Sequence, residues 1–489
     1  MRYDACIIGA GAEGLAAAAT LAGRGLKVVV VERDARCGGR CTTREFHPGF
    51  RASPFADELP AIPADIFWSL DLARRGVVLA SASTSLALWP DRQSLMLPWA
   101  AASAVAARAD AWRRAIRGRV MADAAKPPRR SLFARRESQL SWPAEELAAR
   151  SLTDVMGEAS ADPDGRAHRM ASQLAGQVCD PVLAGSAFHL LAGVPGGMAA
   201  GGLGRLGEAL GAAAREAGAE ISCGLEVADI RRKGGRAVGV GLADRREIAA
   251  RAVVSTLDLK RTFLSLFSWS DLPRAVVDRV GAFRPAPGTA RLLLALDAPP
   301  EPPAGMEASV LRGPIHVAPD AIEDACRAWR RGAVPERLPM LLRVVSAVDP
   351  SLAPDGAACM TVTLGAIPHT PFDGAWTHGK RDRLRETILA AVDGALPGTA
   401  KRVRAAELIV PPDIESLLGV ASGDLAGGEL APDQMLCFRA FADCRGTRTP
   451  VEGLYLAGGS SALGPLASCA SGVAAAHAVM ADFAAGRLK

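Results

Sequence analysis

The residues whose types and spacing point most directly to chemistry lie in the run Gly9-Ala10-Gly11-Ala12-Glu13-Gly14 and at Glu32. A glycine at position 9 allows a tight turn. One at position 11 lets the backbone approach a pyrophosphate, and one at position 14 lets a helix pack closely on a strand. A carboxylate about 18 residues beyond the last glycine can accept hydrogen bonds from a ribose hydroxyl pair. The chemistry these residues suit is the binding of a dinucleotide.

The flanking elements must place them. Ala5 to Ile8 is a short apolar run, read as a strand, and Leu15 to Gly25 is alanine-rich, read as a helix. Val28 to Val31 predicts a second strand ending on Glu32. A lone GxGxxG is a weak signal, equally suited to the turn of an ordinary buried βα unit. Strand, turn, helix, strand and acid in this order make the dinucleotide fingerprint. The helix N-terminus then offers free N–H groups and a partial positive charge to the phosphates. The candidate ligands here are Gly9, Gly11, Ala12, Glu13, Gly14 and Glu32.

Arg33 and the run Cys37-Gly38-Gly39-Arg40-Cys41 follow. Two consecutive glycines let the main chain pass close to a bulky anion, and an adjacent arginine offsets phosphate charge. Arg33, Gly38, Gly39 and Arg40 join the candidate set. Fingerprint, acid and Gly-Gly-Arg together resemble the FAD-binding end of the flavin amine oxidase and phytoene desaturase superfamily. The next segment, Phe46-His47-Pro48-Gly49-Phe50-Arg51, resembles the phytoene dehydrogenase-related branch more than the amine oxidases.

Composition agrees with a globular enzyme. Of 489 residues, 49% are hydrophobic and 22% charged, and the net charge of +5 is far from a nucleic-acid footprint. No nucleic-acid partner is expected. The ten cysteines are scattered singly with no CxxC pair, which argues against a dithiol oxidoreductase motif and a zinc knuckle and favours a reducing cytoplasm. The seven histidines form no HxxxH pair, and no metal is expected. The apolar stretch at 5–22 reads as the fingerprint unit rather than a signal peptide, and no run is long enough to predict a transmembrane span.

The middle of the chain is less explicit. Leu86 to Trp89 and Leu95 to Leu97 predict a hairpin turning at Asp91-Arg92. Residues 105–150 carry a basic cluster, including Arg108, Arg113, Arg114, Arg117 and Arg119, interleaved with Trp112, Ile116 and Val120. This reads as a solvated helix face or as peripheral contact with an anionic membrane. His189 on an apolar stretch reads as a satisfied core residue. Gly201 to Ala217 predicts a glycine turn and helix, followed by strands at 226–231, 237–242 and 247–255. Further strands are expected at 291–296, 340–345 and 360–364, with a helix at 381–396. By resemblance, Val227 places its backbone against the adenine.

Near the C-terminus, Gly423 to Glu429, Asp433-Gln434-Met435, Arg439 and Arg448-Thr449-Pro450 are similar to a run in the phytoene dehydrogenase-related branch. Gly453 to Ser460 reads as a strand ending in glycines, ahead of a helix from Ala467 to Phe483. The resemblance implies that Gly458, Gly459 and Ser460, with Leu466 and Ala467, meet the flavin. A positive helix end there would stabilise an anionic reduced ring. The chain departs from the family at Ser461 to Cys469, where a Thr-His-Pro-glycine run is replaced; Cys469 reads as a small packed residue rather than a covalent anchor.

The expected fold is α/β, a Rossmann-like FAD-binding domain with a discontinuous sheet-plus-helix substrate domain. FAD-binding parts are expected at 1–85, 196–265 and 411–489, and substrate parts at 86–195 and 266–410. The expected function is an FAD-dependent oxidoreductase of dehydrogenase or desaturase type, taking a hydride from a hydrophobic small molecule or lipid-like substrate, with oxygen, a quinone or another acceptor. The alternatives are a flavin amine oxidase, and a non-redox flavoprotein acting as isomerase or scaffold. No catalytic residue is assigned.

Overall fold

The computed structural model describes residues 2–58, 61–80, 84–89, 94–98, 103–125, 147, 149–159, 180–192, 197–435, 439, 441, 446–464 and 468–488. Strand β1 (Arg2–Ile8), helix α1 (Ala12–Ala22) and strand β2 (Val28–Val31) open the chain. All four valines of β2 are buried, the pattern of a parallel strand covered on both faces. β1 lies between β2 and Glu247–Ser255, parallel to both, and β2 pairs in parallel with Glu220–Ser222. The antiparallel strands Val227–Lys233 and Arg236–Leu242 extend one edge, and Leu454–Leu456 adds to Glu247–Ser255 in parallel. The result is one seven-stranded sheet gathered from the front, middle and end of the chain.

Helix α1, the helix Gly204–Glu216 and the C-terminal helix Ala470–Ala484 cover one face of this sheet. Their alanines (Ala16, Ala17, Ala213, Ala214, Ala474, Ala475) permit close approach. The other face carries Phe263, Phe267 and Phe441, with the first two rings stacked and Phe441 edge-on to Phe263. The register brings Ile8, Val31, Ser222, Ser255 and Leu456 to one edge. The loops that follow these carboxyl ends form a crevice, the place where such sheets bind ligands.

A second seven-stranded sheet runs Val403–Ile409, Ala290–Leu296, Ala358–Leu364, Met340–Arg343, Ile315–Val317, Thr84–Leu88 and Ser94–Pro98. The hairpin expected around Asp91-Arg92 is present as its last two strands; the turn itself lies outside the described residues. The strands expected near 291, 340 and 360 are found, and the helix expected from 381 begins earlier, at His378. Thr377 caps it by accepting from the Lys380 N–H at 3.3 Å. One face of the sheet packs on Leu384, Ile388 and Val392 of that helix. The other face packs on Phe50 and Phe55 and is joined by two buried ion pairs, Arg291–Asp57 and Arg343–Glu58.

The basic zone resolves in part into the helix Ser103–Ala124. Its Trp112 and Ile116 are buried in the main core, so the apolar side that a membrane would need faces inward. Arg113 donates to the Leu190 carbonyl and Arg117 pairs with Asp65 at 2.6 Å. The basic residues from Lys126 to Arg136 lie outside the described residues. No described helix is long and apolar enough to cross a membrane.

His189 is buried as expected, but it is not satisfied: its Nε2 has no hydrogen-bond partner among the described residues. Burial holds its pKa down to about 4, against an ordinary value of 6.5. The ring is therefore neutral in the fold, and the unfolded chain binds the extra proton between those values. Stability from this group is complete above pH 6.5 and is lost as pH falls toward 4. The urea midpoint should fall over that window, and the fall should be shallower in His189→Gln. An equal slope in both proteins would remove the assignment.

Candidate functional site

An open cleft of about 1290 Å³ runs along the carboxyl edge of the first sheet. Its lining includes Glu32, Arg33, Glu226 and Val227, then Gly9, Gly11, Ala12, Glu13, Gly38, Gly39 and Arg40, and also Gly458, Gly459 and Ser460. Residues read from segments more than four hundred positions apart thus share one wall. Leu466 and Ala467 lie outside the described residues, and the C-terminal helix begins at Ala470 rather than Ala467.

The three fingerprint glycines divide their work by geometry. A Cβ on Gly14 would stand 2.0 Å from the Gly9 carbonyl oxygen, so this residue is fixed by packing and does not line the cleft. A Cβ on Gly11 would meet no protein atom within 4 Å, because the space belongs to the cleft. Gly11 is also the N-cap of α1, and no side chain bonds to that helix end. Its first N–H groups open toward the cleft, the arrangement that receives a phosphate.

The Gly38-Gly39 doublet has a different reason from the one expected. A Cβ on Gly38 would meet the Cys41 carbonyl oxygen at 2.4 Å, and one on Gly39 would meet the Gly11 Cα at 3.1 Å. The doublet is required by contacts of chain with chain, and its effect is to hold the loop against the fingerprint turn.

Glu32 is anchored from within. Its Oε2 accepts from the Ala10 N–H at 2.6 Å and its Oε1 from the Asp34 N–H at 2.9 Å. Burial pushes its pKa up, opposed by these backbone bonds. It therefore ties β2 to the glycine turn as well as facing the cleft. Two arginines also line the cleft: Arg33 donates to the Leu417 carbonyl at 2.6 Å and Arg261 to the Gly419 carbonyl at 3.2 Å. Arg40 donates to the Leu425 carbonyl.

Glu13 takes a position that the fingerprint alone did not predict. It accepts from the Cys469 N–H, the Ser471 hydroxyl and the Gly472 N–H, each at 2.8 Å. Ser471 in turn accepts from the Gly458 N–H at 2.7 Å. One buried carboxylate thus caps the C-terminal helix and links the first glycine turn to the last. The positive helix end expected to act on the flavin is largely occupied by this side chain. Cys469, the N-cap, is fully buried, as expected of a packed residue.

The run from Gly423 to Met435, with Arg439, borders the cleft. Asp424 accepts from the N–H groups of Ala286, Ala426 and Gly427. Arg439 is buried and donates to the carbonyls of Gly459, Gln434 and Gly427. Ser460, expected at the cofactor, also accepts from the Leu259 N–H at 3.0 Å. Sequence reading missed Thr256, which lines the cleft and donates to the Ile8 carbonyl at 2.8 Å, Asp424 as an anchor and the buried pair Asp57–Arg291. Only the fold brings their partners together.

The pattern of the NAD(P)-binding Rossmann-like domain family matches residues 7–61, and that of the flavin containing amine oxidoreductase family matches residues 126–347. The chain is an FAD-dependent oxidoreductase, similar over part of its length to the flavin amine oxidase superfamily. "Pyridine nucleotide-disulfide oxidoreductase domain-containing protein 2" of Mus musculus is 27% identical over 98% of this chain and 94% of its own length. Prolycopene isomerase 2, chloroplastic, of an Oncidium hybrid cultivar is 26% identical over 58% of this chain and 46% of its own. Putrescine oxidase bound to putrescine superposes with a TM-score of 0.61 at 16% identity, covering 99% of both chains, a likeness of fold.

The cleft fits FAD. Its lining includes a cradle that a side chain at Gly11 would fill, and an uncapped helix end opens onto it. Bound there, FAD supplies the hydride-accepting ring. The protein's own residues grip, orient and exclude water.

Proposed function

We propose that the chain is a dehydrogenase of the desaturase type, which removes a hydride from a C–H bond of a hydrophobic, lipid-like molecule and passes the electrons to oxygen or a quinone. In this reading Glu32, Arg33 and Val227 hold the adenosine end of FAD. Gly9, Gly11, Ala12, Gly38, Gly39 and Arg40 hold the pyrophosphate, with Gly14 setting the turn. Gly458, Gly459 and Ser460, with Leu466 and Ala467, face the flavin, and Glu13 orders that end through the C-terminal helix.

The observation that carries the choice over amine oxidation concerns aromatic side chains. Amine-oxidising sites often use aromatic walls beside the flavin, and this chain has two tyrosines. Tyr3 bonds to Glu220 at the sheet edge, and Tyr455 is buried against Asp482 at 2.7 Å. Phe441 packs beneath the first sheet, and the Trp376 indole N–H donates to the Pro368 carbonyl in the second core. These four rings are engaged elsewhere; Phe438 lies outside the described residues. The partial match to a polyene isomerase supports a hydrophobic substrate.

Anaerobic mixing of the purified protein with candidate donors tests the reading. Lipid polyenes should bleach the flavin absorbance, and primary amines should leave it intact. Rapid bleaching by amines with none by polyenes would establish the amine oxidase reading instead.

A further inference from the structure

Two half-exposed cysteines stand outside the cleft lining, one of them, Cys37, at the margin of the main core. Cys37 and Cys223 stand in no recognisable motif, yet their Sγ atoms lie 3.7 Å apart across a separation of 186 positions. The sheet produces the encounter. The Glu32 N–H donates to the Ser222 carbonyl and the Gly224 N–H to the Asp34 carbonyl, both at 2.9 Å. The chain leaving β2 and the chain leaving Glu220–Ser222 therefore run side by side past the sheet and carry both thiols to one place. Both are half-buried, whereas Cys6, Cys41, Cys326, Cys359 and Cys469 are buried. Arg215, from the helix Gly204–Glu216, directs its Nη2 to Cys37 Sγ at 3.6 Å.

We propose that Cys37 and Cys223 form a thiol modification site, a reversible dithiol–disulfide couple that exchanges with low-molecular-weight disulfides. Cys37, in contact with the Arg215 guanidinium, is the attacking sulfur. Its thiolate attacks one sulfur of the small disulfide, the S–S bond breaks, and the first small thiol leaves. Cys223 then gives its proton to solvent, and its sulfur attacks Cys37 Sγ and displaces the second small thiol. Two protein thiols are oxidised and one small disulfide is reduced to two thiols. Burial and the neighbouring Cys37 push the Cys223 thiol up to about 11. The bridge needs the sulfurs to close from 3.7 Å to about 2.05 Å. That movement occurs beside the cofactor cleft, because the Gly38 N–H donates to the Ala10 carbonyl and Gly38 pairs with Gly11.

The holoprotein is incubated with oxidised glutathione in graded excess, its free thiols are blocked with N-ethylmaleimide, and its peptides are weighed. The expected result is the loss of two alkylatable thiols mapping to Cys37 and Cys223, recovery of one joined peptide pair, and full reversal by dithiothreitol. In Cys223→Ser, Cys37 should instead keep one glutathione. Full alkylation of both positions at the highest excess would overturn the proposal. So would a persistent glutathione adduct on Cys37 in the unmutated protein matching that in Cys223→Ser.

Discussion

Gly11→Val is expected to give a folded but colourless protein. Gly11 has φ −73° and ψ 178°, a conformation open to any residue, and a Cβ there meets nothing within 4 Å. The fold therefore tolerates the substitution. The cleft does not, because the branched side chain fills the cradle in front of the free N–H groups of α1. A loss of flavin affinity of about a hundredfold or more, roughly 2.7 kcal/mol, is expected. The measurement is the flavin-to-protein absorbance ratio after gel filtration, with circular dichroism as the check on folding. Gly14→Val is the contrast: its Cβ would stand 2.0 Å from the Gly9 carbonyl, so it should fail to fold rather than fail to bind. A Gly11→Val protein that remains fully yellow would remove the pyrophosphate assignment.

Asp57→Ala should unfold the contact between the second sheet and the segment that lies against it. The Arg291 and Asp57 side chains are 1% and 7% exposed and meet at 2.7 Å. Thr361 donates to Asp57 at 2.8 Å, and Arg291 also donates to Thr363 at 2.6 Å and to the Ser53 carbonyl at 3.2 Å. Removing the carboxylate leaves a buried guanidinium without its counter-charge, a loss of about 3–5 kcal/mol. Asp57→Asn keeps an acceptor and the shape, so it should cost less. Urea unfolding followed by tryptophan fluorescence reads the difference. Equal midpoints for Asp57→Ala and the unmutated protein would show that the pair contributes nothing net.

How much of this was legible in the sequence varies with distance along the chain. The opening βαβ unit was readable because its determinants are local. Valine runs fix β2, alanines fix α1, and sterics at Gly9 and Gly14 fix the turn between them. Five of the seven strands of the second sheet were readable from their apolar runs, but Ile315–Val317, Val403–Ile409 and the strand order were not. The Gly38-Gly39 doublet was recognised correctly as a cleft element but for a different reason. Its glycines are demanded by Cys41 and Gly11, and a sequence shows no such contacts. His189 was placed correctly in the core, but the lack of a partner for its Nε2 among the described residues was not visible, since satisfaction depends on neighbours brought from elsewhere.

The sequence by itself determined the glycine turn at Gly9 to Gly14 and the acid at Glu32 that line one cleft, and so where a dinucleotide is expected. It did so because glycine sterics and strand–helix periodicity act within a few dozen residues. The tertiary structure decided what else reaches that turn. It turned Glu13 toward the C-terminal helix 456 positions away, set Arg439 across the carbonyls of Gly427 and Gly459, and laid Cys37 beside Cys223. Each of these contacts depends on parallel strands ending at one edge of one sheet. Strand order and register are properties of the assembled sheet and are written in no single stretch of the chain.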